Sequence, residues 1–102
     1  MSVRPSILRL SSLGSLPASD ALVDSIQKYE EAIRAIVAPV TNEEAMILVR
    51  LFGPDDCFGL AWSLLHLVET APAWPIPECL GQKTNEWIQR LEKRAQNADL
   101  LP

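Results

Sequence analysis

Between positions 55 and 69 stand the side chains most able to do chemistry: Asp55, Asp56, Cys57, His66 and Glu69. A thiol and an imidazole in one short stretch raise the prospect of nucleophilic catalysis, in which the imidazole takes the thiol proton. The spacing works against it. On one helix, nine residues turn the side chain through about 900°, which leaves Cys57 and His66 on opposite faces. Asp56 and His66, ten residues apart, are also badly aligned, and an aspartate ahead of a helix is expected to cap its amides. His66 and Glu69 stand at i,i+3 and share a face. Such a pair begins a metal site only when further helices supply more carboxylates and histidines, and His66 is the one histidine in the chain. It is read as hydrogen-bonded to Glu69 or to a backbone carbonyl. The glycine-rich phosphate loop, the CxxC pair, the GxSxG elbow and HExxH are all absent from the sequence. The expectation is therefore a protein that is not an enzyme, with no catalytic residue, metal or cofactor. Cys57 and Cys79 lack metal-ligand spacing and read as buried free thiols in a reducing cytoplasm.

Helices must hold these side chains. Ser19 or Asp20 is expected to cap a helix over 20–37, with Leu22, Ile26, Tyr29, Ile33 and Ile36 as its apolar stripe and Pro39 as its stop. Thr41-Asn-Glu-Glu44 is a capping box and starts a second helix. That helix is expected to end at Gly53 in the left-handed conformation, with Pro54 behind it. Asp55 and Asp56 then open a third helix over about 57–70, apolar on nearly all sides and so wrapped by its neighbours, with Gly59 admitting a close one. The prolines of 71–77 exclude helix there, and a last helix runs over about 78–97. It carries Leu80, Thr84, Trp87, Ile88, Leu91 and Ala95 on one face and Gln82, Lys83, Glu86, Arg90, Lys93 and Arg94 on the other. Residues 3–16 match neither helical nor strand spacing. Their serines and two arginines without an acid resemble a targeting segment, but Pro5, Gly14 and Pro17 interrupt it, so residues 1–18 are read as a native, irregular arm. The expected fold is all-α: a compact four-helix bundle-like domain over 19–102 with a largely buried central helix, and the arm laid across it.

A chain of 102 residues builds one core. With 48% apolar and 22% charged residues it is not disordered, and no run approaches the ~18 apolar residues of a membrane span. The net charge of −4 is unevenly placed: residues 39–79 hold six acids against Arg50 alone, a net of −5. That field repels nucleic acid and steers basic proteins. Trp74, between Pro72 and Pro75 and near Glu69 and Glu78, suits a rigid aromatic anchor. The expected partner-binding residues are Glu43, Glu44, Asp55, Asp56, Glu69, Trp74 and Glu78, whereas Trp62 and Trp87 are assigned to the core. The expected function is a non-enzymatic protein–protein interaction module, akin to an immunity protein or antitoxin that blocks a basic effector. The alternative is a structural or assembly subunit that forms a homodimer through its arm and last helix.

Overall fold

Pro5 stands in the first turn of a helix, where its missing N–H would have had no partner, and Gly14 closes that helix at φ +87° with its N–H on the Ser11 carbonyl. The computed structural model describes residues 3–80 and 85–98, without the side chains of Pro77 and Glu78. The arm expected to be irregular is thus helical over α1 (Pro5–Leu13). Ile7 and Leu10, one turn apart, are 0% and 1% exposed, and packing of this kind stabilises a helix whose own pattern is weak. α1 lies against α2 (Val23–Arg34) and α3 (Asn42–Leu48).

α2 starts later than its cap signal suggests. Leu22 precedes it with no side-chain cap and is exposed, because Ser19 is engaged elsewhere, by Asp55. Tyr29, Ala32, Ile33 and Ile36 face the core, and the Tyr29 hydroxyl donates to the Leu13 carbonyl, joining α2 to the end of α1. The capping box of α3 forms as expected: Thr41 Oγ1 accepts the Glu44 N–H at 3.1 Å and Glu44 Oε1 accepts the Thr41 N–H at 2.8 Å. α3 then tightens into a 3-10 turn, Val49–Leu51.

The two glycines that follow exchange their expected roles. Gly53 is not left-handed; a Cβ there would fall against the carbonyl of Leu16, with the carbonyl carbon at 2.8 Å, because the Leu16 N–H reaches the Leu51 carbonyl at 2.8 Å. Gly59 has no heavy atom within 4 Å of a would-be Cβ, and its φ of +88° is what calls for glycine. It completes a left-handed run with Cys57 (φ 46°) and Phe58 (φ 55°). This turn defers the helix expected from residue 57 to α4 (Leu60–Glu69). α4 packs against α2, α3 and α5 (Glu86–Asn97), burying Leu60, Ala61, Leu64, Leu65 and Val68. Ser63 and His66 face solvent, so α4 lies on the core by one side instead of being wrapped all round.

Residues 71–76 are non-helical as expected and lead into a 3-10 turn, Pro77–Leu80. The last helix proper begins at Glu86, where Asn85 accepts the Trp87 N–H at 2.8 Å. Gln82, Lys83 and Thr84 lie outside the described residues. Leu80, Trp87, Ile88, Leu91 and Ala95 are buried as their spacing predicts. The fold is all-α: among the described residues there are five α-helices and no strand, and no helix is long and apolar enough to cross a membrane. The Cα radius of gyration is 13.0 Å, the ~13 Å of a well-packed domain of 100 residues.

Candidate functional site

α4 sorts the residues singled out above. Asp55 and Asp56 precede its first turn, while Glu69 is its last residue and Trp74 follows, about 15 Å away along the axis.

At the far end, Arg94 of α5 grips the Glu69 carboxylate with two bonds, Nε to Oε2 at 2.8 Å and Nη2 to Oε1 at 3.0 Å. His66 is exposed, with Nδ1 3.7 Å from Glu69 Oε1. Trp74 is half-buried and lines a depression of about 430 Å³ with Glu69, Arg94, Ala95, Asn97 and Ala98. Asn42 Oδ1 accepts the Ala73 N–H at 3.0 Å, which brings the start of α3 and its exposed Glu43 toward the loop of Trp74. The Glu78 side chain lies outside the described residues.

Glu44 is not on the surface. It is 0% exposed and accepts from Arg4 through Nε at 3.0 Å, Nη2 at 3.1 Å and the backbone N–H at 2.9 Å. Burial pushes its pKa up, but the bonds from Arg4 and the Thr41 N–H, with the charge of Arg4, outweigh that and lower it from 4.5 to about 2. The same guanidinium donates to the carbonyls of Val37 at 2.7 Å and Pro39 at 3.3 Å. Glu44 therefore ties α1 to α3 and offers a partner nothing.

At the near end, Asp55 is also engaged. Its oxygens accept the Ser19 N–H at 3.0 Å, the Ser19 hydroxyl at 3.0 Å and the Cys57 N–H at 2.9 Å, and these bonds hold its pKa below the usual carboxylate range. Asp56 is exposed. Between this loop and the first turn of α5 lies a hollow of about 240 Å³, lined by Pro54, Asp55, Asp56, Trp62, Glu86, Trp87 and Arg90. Trp62 meets Trp87 edge-to-face at 5.2 Å, and Phe52 stacks on Trp87 from inside at 6.0 Å. The Arg90 guanidinium carbon sits 4.8 Å from the Trp87 ring and 5.4 Å from the Trp62 ring, within cation–π range, and Arg90 also donates to Glu86. Trp87 is core, as its spacing predicts, but Trp62 is only partly buried and belongs to this surface. The signal for it in the sequence is Glu86-Trp87-x-x-Arg90, an i,i+4 ion pair around an aromatic residue.

The thiol at the near end is shielded. Cys57 is 0% exposed, and its pKa is raised by burial and by the charges of Asp55 and Asp56. Cys79 is 2% exposed, and neither cysteine is in a disulfide bond. Among the described residues no group of three or more His, Cys, Asp or Glu side chains could hold a metal ion. Comparison with protein-family models, curated proteins and solved structures finds no match.

Proposed function

We propose that the protein is a non-enzymatic binding module that recognises a basic protein partner, in the manner of an immunity protein or antitoxin, in a cytoplasm where its thiols stay reduced. One observation carries this reading: a partly exposed tryptophan stands beside carboxylates at each end of α4, Trp62 with Asp56 and Glu86, and Trp74 with Glu69. Aromatic anchors within a charged rim are the arrangement from which protein interfaces draw most of their affinity. The assembly reading places a homodimer at the arm and the last helix; α1 spends Ile7 and Leu10 on its own core and keeps Leu8 exposed, which leaves less apolar surface there for a second copy.

The test is association with a basic protein captured from the native source at low salt. Reversing two exposed carboxylates of the acidic stretch in an E43K/D56K variant is expected to slow association about tenfold at low salt and to flatten its salt dependence, since steering charges act mainly on the on-rate. Unchanged rates across the salt series would refute the reading.

A further inference from the structure

We propose that the hollow between the 54–56 loop and the first turn of α5 receives a single arginine or lysine side chain of the partner; this rests on the protein-binding reading above and locates its contact. At about 240 Å³ the hollow is smaller than the ~300–1,000 Å³ typical of small-molecule sites, and it suits one long side chain. Its chemistry selects a cation. Asp55, Asp56 and Glu86 line it against Arg90 alone, so an anion would meet a net negative wall. Glu86 is answered by Arg90, and Asp55 by Ser19 and Cys57. Asp56 accepts no side-chain hydrogen bond or ion pair among the described residues and is the carboxylate left for a guest.

The molecule already displays the mode of contact. Arg90 rests over Trp62 and Trp87 while a carboxylate answers its charge. A guest cation would repeat this on the exposed part of Trp62, with Asp56 in the place of Glu86 and its methylene stem against Pro54. Phe58, two residues beyond Asp56 and 72% exposed, is held out by the left-handed turn. It offers an apolar contact next to the charged one, so the matching segment carries a basic residue beside an apolar residue.

The test titrates the isotope-labelled full chain with Nα-acetyl-arginine amide and with its citrulline counterpart, which keeps the shape and removes the charge. Saturable shifts are expected at the Trp62 indole N–H and at the amides of Asp56 and Arg90, about tenfold weaker for citrulline and about tenfold weaker for arginine in Asp56→Asn. Glu31→Gln, exposed on α2 and outside the hollow, should leave the titration unchanged. Equal affinity for citrulline, or indifference to Asp56→Asn, would overturn the proposal. If the titration fails while E43K/D56K still slows partner association, the hollow is misassigned and the acidic-surface reading stands. If the titration succeeds while that variant associates normally, the hollow holds a free cation but no side chain of the partner, and the proposal falls with the broader reading.

Discussion

Glu44 shows how little a residue type reveals about its employment. In the sequence it is one more carboxylate of the acidic run, and its capping box is legible; Arg4, forty positions away, is what takes it out of solvent. Because its pKa is lowered on folding, from 4.5 to about 2, the unfolded chain binds more protons in that interval. The stability Glu44 contributes is therefore complete above pH 4.5 and is lost as pH falls through 2. Glu44→Gln retains the cap, since glutamine serves equally at that position, while losing the charged bond to Arg4. It should cost about 1–3 kcal/mol at neutral pH and flatten acid unfolding, read from urea midpoints across the pH series; an unchanged acid limb would show that other carboxylates govern it. The glycines give a second prediction. Any side chain at Gly53 meets the Leu16 backbone, whereas at Gly59 only the backbone angle objects. Gly53→Ala should cost about 1–3 kcal/mol, with Gly53→Asn worse. Gly59→Ala should cost about 1–2 kcal/mol, with Gly59→Asn milder because asparagine tolerates the left-handed region. The opposite ordering of the asparagine variants in denaturant titrations would refute these assignments. A glycine in a sequence marks a constraint; at Gly59 it is the local backbone angle, and at Gly53 it is the distant Leu16 segment.

At the scale of elements, local signals are legible where the determinants are local. The box at Thr41, the proline crossing and the buried stripe of α5 all follow from neighbours within a few residues, whereas α2 ends at Arg34, three residues short of the stop that Pro39 alone predicts. α1 is different. Nine residues with two buried positions are too few for periodicity to stand out, and the helix exists because α2 and α3 present it with a surface. Leu10→Ala should accordingly cost about 2–5 kcal/mol and lower the whole thermal transition. A small loss confined to the first residues would mean that α1 is an appendage. The start of α4 was missed for a related reason: Cys57-Phe58 looks like helix by composition but is turned aside by the Asp55 bond to the Cys57 N–H and by the run that ends in Gly59.

At the scale of the molecule, the sequence locates the acidic excess but not its division. Three of its carboxylates, Glu44, Asp55 and Glu69, are absorbed into tertiary bonds, and Glu43 and Asp56 are left exposed. Trp62 was hidden by its neighbours, since a tryptophan within Leu-Ala-Trp-Ser-Leu-Leu gives no sign of standing half outside until α5 is in place. The two buried thiols carry a consequence of another kind. With Cys57 under the left-handed turn and Cys79 beneath the 3-10 turn, neither meets a reagent until the chain opens above it. Their alkylation rates are therefore two built-in clocks for opening of the native state, one at each turn. Asp55→Ala, which unties the 55–57 loop, should quicken alkylation of Cys57 and leave Cys79 at its former pace by peptide mass. Equal acceleration would mean that the two ends open as one, and that a partner seated on either end would still the other.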